Sequence, residues 1–366
     1  MTARVRGAVR VALPAWVVGR LLSLACLGIV VLAHGGHTPR AGGVHVPGSH
    51  GWFAWDAAWY RLIAERGYLA SPPGGVRFFP LFPLLGRWLG AVFGGHDAVA
   101  LVLLANVFAL AFGTVVVLLT EQTLNSTAVA RRTAWLTLLA PGAVVLAMAF
   151  AEPLSGFLAA LFLLLVRNRG SAVWWAAPVG VLAGLTRPTG FLIAAVPVVE
   201  YVVASRRREL GSLLAATIAP VVGTVIFCAW ASHAYGDFLA PYHVQTESNL
   251  RGGLVADPIR AIFLAPNHAG LPIPLRIAVV VATIALVVLA WRVLPLSIAL
   301  WATLLVLAAL TSERLTSLPR YISGDFPLLM ALATKMEGRR AVLTVVGSAA
   351  LFVAVAITGI NGSTVL

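Results

Sequence analysis

Lysine is all but missing from this chain: Lys335 stands alone beside 25 arginines, and only 13 of the 366 residues are acidic. Charged residues of every kind make up 11%, against 60% hydrophobic. A soluble domain of this size cannot be so poor in charge, because its surface has to be wetted. Cysteine is scarce as well. Cys26 and Cys228 lie inside apolar runs without a nearby partner in sequence, which excludes a disulfide framework and a CxxC metal site. There is no GxSxG, no P-loop, and no GxGxxG following a strand, so a serine hydrolase and a nucleotide-binding enzyme are disfavoured. The net charge of +13 is scattered between apolar runs rather than gathered in a patch, which argues against a nucleic-acid partner.

What is abundant is apolar length. Roughly 20 apolar residues cross a bilayer as helix, so about 220 hydrophobic residues supply on the order of ten spans. Spans are expected near 11–33, 98–120, 134–150, 153–166, 172–186, 190–204, 211–231, 276–291, 294–311, 321–334 and 341–359. The fold class this predicts is an all-α polytopic membrane protein of about 11 transmembrane helices, forming one domain over 1–366. Arg4, Arg6 and Arg10 followed by apolar residues to about 33 look like a signal peptide. That run is too long for a signal core, so an uncleaved first span is expected. The stretch 78–95, "FFPLFPLLGRWLGAVFGG", carries two prolines and Arg87, and fits a re-entrant element better than a full crossing.

Charge orients this layout. With a cytoplasmic N-terminus, 14 Lys and Arg fall inside in mostly short loops, and 11 fall outside in much longer ones. By density this satisfies the positive-inside rule. All eight histidines then lie outside, together with nine of the acids. Two long outer loops, 34–97 and 232–275, hold nearly all the chemically useful groups, so an extracytoplasmic site in the cell membrane is expected. The loop histidines His34, His37, His45 and His50 lack coordinating spacing, and no metal is expected.

The first loop contains "HGWFAWDAAWYRLIAERGY" (50–68). Projected as a helix, Trp52, Trp55, Trp59, Leu62 and Ile63 share one face, and Arg61 and Glu65 sit opposite. This predicts an amphipathic helix lying in the membrane interface. Asp56 falls on the aromatic side, where a carboxylate needs a partner or a purpose. Burial would raise its pKa towards general-base range, and an ion pair with Arg77 or Arg87 is the structural alternative.

Glu152 of "FAEPLSG" either caps a helix opened by Pro153 or meets substrate. Arg187 in "LAGLTRPTGFL" sits at an outward turn, where it snorkels to headgroups or binds an anion. Arg320 and Tyr321 lead into the span 321–334 with Asp325 one turn in. A guanidinium there suits a phosphate, and pairing of Arg320 or Arg187 with Asp325 is the alternative.

Taken in order, "WDAAWYRLIAERGY", "FFPLFPLL", "AEPLSG", "LTRPTG" and "SLPRYISGDFPLL" resemble the PIG-V-like mannosyltransferases, from about residue 52 to 335. These belong to the GT-C class of membrane glycosyltransferases. The resemblance implies an outward-facing site and inverting transfer of mannose from a polyprenyl-phosphate donor to a glycolipid, glycan or protein acceptor. No cofactor is implied; the lipid-linked sugar is a substrate.

Asp56 matches the first-loop acid and would be the catalytic base. Arg320, with Tyr321 beside it, and Arg187 would hold the donor phosphate. Glu152, Trp55, Trp59 and Tyr60 are candidate substrate contacts. Having AEP where relatives often carry SEP, this chain lacks the hydroxyl beside Glu152. The rival readings are a multi-pass transporter or lipid flippase, with charges near the bilayer midplane, and a non-catalytic relative of the enzymes.

Overall fold

The structure is a computed structural model, and it describes residues 2–39, 46–203, 207–246, 273–310, 320 and 324–362. Among the described residues 82% are helix and none are strand. Helix keeps every backbone hydrogen bond within its own segment, as lipid demands. Among the described residues, five helices are long and apolar enough to cross a membrane: α1 (Thr2–Ala33), α4 (Asp97–Leu124), α9 (Leu210–Tyr235), α11 (Ile273–Val293) and α14 (Gly338–Ile360). The others are α2 (Asp56–Arg66), α3 (Leu81–Val92), α5 (Thr127–Leu138), α6 (Glu152–Arg167), α7 (Ala176–Gly184), α8 (Ala195–Val203), α10 (Ala240–His243), α12 (Leu296–Leu310) and α13 (Phe326–Ala333).

The apolar segments fall where hydropathy places them, but the structure does not bear out eleven full crossings. A crossing needs about 20 helical residues, and α6 has 16, α12 has 15 and α13 has 8. The expected span 134–150 is broken outright. α5 stops at Leu138, and the chain turns through Pro141 and Gly142 into a 3₁₀ turn, Ala143–Leu146. Proline there has no N–H to continue a helix and pushes its predecessor out of helical geometry.

α4 lies at the centre, in contact with α1, α2, α3, α5 and α6. Its middle is small where neighbours come close: a methyl group on Gly113 would meet Leu138 at 2.8 Å. α7 and α9 approach closely enough that a methyl on Gly184 would strike the carbonyl of Pro220, and one on Gly223 that of Val181. Small residues at such crossings let helices associate in lipid, where burial of apolar surface adds little.

The first outer loop departs from the expected interfacial helix. α2 begins at Asp56 rather than at Trp52, and it is buried along most of its length. Trp59 stacks on Phe78 with centroids 5.6 Å apart, and Tyr60 packs edge-on against Phe78 and Phe82. The aromatic ring system that suggested a headgroup belt is thus satisfied by protein, from the "FFPLF" segment that follows. Only the Arg61–Glu65 face is open, with the two joined at 2.6 Å. α3, the expected re-entrant element, is a 12-residue helix packed against α2 and α4, with Trp88 and Val92 exposed.

Candidate active site

Four segments distant in sequence converge on one charged chain. Asp56 occupies the first turn of α2, where the helix dipole favours an acid. Its Oδ2 accepts a hydrogen bond from Arg320 Nη1 at 2.8 Å, and Arg77 Nη2 stands 3.8 Å from Oδ1. Arg77 comes from the 3₁₀ turn Pro73–Arg77, held by its guanidinium lying 4.7 Å from the Phe78 ring centroid. Arg320 Nε lies 3.3 Å from Glu152 Oε1, an ionic contact without hydrogen-bond alignment. Arg187 Nη1 meets the same oxygen at 3.0 Å.

Glu152 is the first residue of α6, ahead of Pro153. The helix has no side-chain cap, and the acid in its first turn is favoured by the dipole while it pairs with arginine. Its other oxygen, Oε2, is buried without a hydrogen-bond partner. Arg187 projects from the turn between α7 and the 3₁₀ helix Gly190–Ala194.

Among the described residues, the chain joins three guanidinium groups to two carboxylates. The Arg320 and Glu152 side chains are only 4% and 7% exposed, so the pairing is nearly dry; Asp56 is 30% exposed. Asp56 is therefore not sealed among rings as the projection suggested. It lies between the guanidinium groups of Arg77 and Arg320. Of the two partners foreseen for it, Arg77 is in reach, while Arg87 sits exposed on α3.

Beside the chain is a cavity of about 110 Å³, whose polar end is Glu152, Arg187 and Arg320. Its walls are Phe112, Trp301 and a series of small residues, among them Gly156, Ala159 and Gly190. Smallness is required at Gly156, where a methyl group would meet the Phe112 ring at 2.8 Å.

The aromatic candidates surround Asp56 without lining that cavity. The Trp55 indole donates to the Gly359 carbonyl at 2.9 Å and its backbone N–H to Ser49 Oγ at 3.2 Å. Trp59 is wedged between Phe78 and Arg77. Tyr60 is buried close to the charged chain. Its phenol is pushed well above the ordinary tyrosine range, first by burial and then by the charge of Glu152.

Tyr321 lies outside the described residues. Asp325 is fully buried at the start of α13 and pairs with neither Arg320 nor Arg187; neither of its oxygens has a hydrogen-bond partner. Sequence reasoning treated Glu152 and Asp56 separately. Nothing in their spacing signals that Arg320 touches both.

No protein-family model and no curated protein matches the sequence. Solved structures do match its fold. The oligosaccharyltransferase of Archaeoglobus fulgidus tethered to an acceptor peptide containing the NVT sequon aligns with 97% of this chain and 56% of its own, at TM-score 0.54 and 14% identity. ArnT from Cupriavidus metallidurans bound to undecaprenyl phosphate aligns over 99% of this chain and 77% of its own, at TM-score 0.55 and 14% identity. The Archaeoglobus fulgidus enzyme AglB in complex with an inhibitory peptide and a dolichol-phosphate matches at TM-score 0.51 and 14% identity. The chain spans little more than half the length of the archaeal enzyme. At this level of identity the likenesses show that the chain shares the fold of these structures.

Proposed function

We propose that this chain is a GT-C glycosyltransferase that moves a mannosyl residue from a polyprenyl-phosphate donor to a glycolipid, glycan or protein acceptor on the extracytoplasmic face of the cell membrane. Within the class, the PIG-V-like mannosyltransferases are the family its motifs resemble. One observation carries the reading: the continuous chain Arg77–Asp56–Arg320–Glu152–Arg187, set against an apolar cavity. The fold is also that of structures bound to undecaprenyl phosphate and to dolichol-phosphate.

The chemistry divides between the two ends of the chain. Asp56 Oδ1 takes the proton of the acceptor hydroxyl as its oxygen attacks the anomeric carbon. The bond from that carbon to the phosphate oxygen breaks, with inversion, and the electron pair leaves on the phosphate. Arg320 and Arg187 stabilise this departing charge, which needs little protonation. Arg77 aims the Asp56 carboxylate, and Glu152 Oε2 accepts a hydrogen bond from a sugar hydroxyl. Arg320 supplies positive charge between the two carboxylates, so transfer is expected to survive EDTA. Abolition by chelation, with recovery on adding a divalent cation, would refute that part.

A transport reading wants ionisable groups near the midplane at corresponding positions of two halves. Only Arg20 and Glu200 lie deep in apolar segments. Arg20 donates to the Leu146 carbonyl at 2.7 Å, with its Nε and Nη1 buried without hydrogen-bond partners, and Glu200 receives Arg167 at 2.9 Å. The deciding experiment supplies membranes with a panel of polyprenyl-phosphate sugars. Asp56→Asn should lower mannosyl transfer by about 10²–10⁴-fold while leaving folded protein. Undiminished transfer by that variant would remove Asp56 from the mechanism.

A further inference from the structure

α6 connects the site to a second polar region. Glu152 opens the helix and Arg167 closes it, so at 1.5 Å per residue the two stand about 22 Å apart. At the Arg167 end is a separate cavity of about 280 Å³, with Arg167, Arg169, Glu200 and Ser297 on its polar side and Val203 and Leu296 on its apolar side.

Part of this arrangement is structural. Arg167 Nη1 donates to Glu200 Oε1 at 2.9 Å, and the Ser297 hydroxyl donates to the same oxygen at 2.6 Å. These bonds tie α6, α8 and α12 together. The tie does not exhaust the positive charge. Arg167 Nε is buried without a hydrogen-bond partner, and Arg169 stands exposed at the rim. Among the described residues, two guanidinium groups and one carboxylate line the cavity, and the Glu209 carboxylate accepts the Gly170 N–H at 2.6 Å beside Arg169. The cavity also meets the first turn of α12, where Ile298 and Ala299 N–H donate to the Pro295 carbonyl at 3.0 Å, so only the N–H groups of Leu296 and Ser297 precede the first bonds of the helix.

The flank beside it is apolar and open: Val202 and Val203 are 68% and 59% exposed. In a membrane protein such a flank faces acyl chains. A charged pocket next to a lipid-facing apolar strip has the two-part character of a phospholipid, a headgroup joined to a tail. We propose that this cavity binds the phosphate of a membrane phospholipid, at the opposite end of α6 from the charged chain. A phosphodiester carries one negative charge, which the exposed Arg169 at the rim complements. Arg169 and the guanidinium of Arg167, both lining the cavity, are placed to grip its oxygens, and the acyl chains lie along Val202 and Val203.

The test uses the full chain, purified in detergent and stripped of lipid. It is titrated separately with phosphatidylglycerol, with diacylglycerol, which lacks the phosphate, and with inorganic phosphate. Native mass spectrometry counts bound lipid, and thermal melting reads stabilisation. One retained phosphatidylglycerol is expected, with no equivalent for diacylglycerol and no displacement by inorganic phosphate. Arg169→Ala, outside the ion pair, should melt like the wild type without lipid and bind phosphatidylglycerol about tenfold more weakly. Arg167→Lys keeps the charge that faces Glu200 but lacks the guanidinium fork, and it should weaken binding in the same way. Equal retention by both variants, or equal binding of diacylglycerol, would overturn the proposal. Binding of inorganic phosphate but not phosphatidylglycerol would overturn it too, assigning the pocket to a soluble anion.

Discussion

Asp56 reaches Arg320 because the residue before it takes a backbone conformation that L side chains rarely adopt. Trp55 has φ 61° and ψ −129°, and α2 starts immediately after it. Holding a non-glycine residue there costs about 1–3 kcal/mol, and it persists only where surroundings over-determine it. The surroundings are the hydrogen bonds to Gly359 and Ser49 and the burial of the indole. The strain lies next to the proposed catalytic base, where α2 starts and Asp56 meets Arg320 and Arg77. Trp55→Ala and Trp55→Gly both lose the indole, but only glycine relieves the φ. The glycine variant should therefore melt no lower than the alanine variant, the reverse of the usual order, in which glycine is worse by about 0.5–1 kcal/mol. Finding that usual order in thermal melts would dismiss the strain.

Tyr60 gives the residue scale a pH signature. Burial and the Glu152 charge raise its folded phenol pKa, and burial raises that of Tyr68. An unfolded tyrosine titrates near pH 10. Above that pH the unfolded chain releases these protons while the folded chain keeps them. Their contribution to stability is thus complete below about pH 10 and declines as pH rises further. Tyr60→Phe should flatten this alkaline decline in melting temperature; an unchanged slope would mean that the Tyr60 phenol does not contribute to it.

Among the elements, close helix crossings decide which glycines matter. Gly184 and Gly223 lie where α7 and α9 press backbone to backbone, and backbone cannot rotate aside as a side chain can. Gly184→Ala should destabilise by about 1–3 kcal/mol, read as a lower melting temperature in detergent. Gly28, in α1, has nothing within 4 Å of the position of an added methyl group. Gly28→Ala should be neutral or stabilising by up to about 1 kcal/mol, because alanine is the better helix former. Similar losses in both variants would mean that the α7–α9 contact is looser than described. The apolar runs mark where helices run, but the span expected over 134–150 misses the break at Pro141–Gly142. Length was less legible too: the two spans expected at 172–186 and 190–204 each open with 3₁₀ turns and keep α-helices of only 9 residues, Ala176–Gly184 and Ala195–Val203.

For the whole molecule, the decisive contact joins Asp56 to Arg320 across 264 residues of sequence. Because Arg320 and Glu152 are nearly dry, removing one charge strands the other. Arg320→Ala should cost about 3–5 kcal/mol of stability as well as transfer. Combining it with Glu152→Gln should cost less than the sum of the two single changes, since no uncompensated carboxylate remains. Strict additivity of the melting shifts would contradict a shared buried pair.

Composition and hydropathy by themselves determined that the chain is a helical membrane protein. They also picked out Asp56, Glu152, Arg187 and Arg320 as charges out of place, because the cost of desolvating a charge is visible from its apolar neighbours in sequence. Tertiary structure alone decided what those charges meet. It buried α2 instead of leaving it at the interface, since the rings that cover it come from the following segment. It also brought Arg320 between two acids and left Asp325 apart from both arginines. Ion pairing depends on distances of a few ångströms between helices, and no periodicity along one segment encodes those distances.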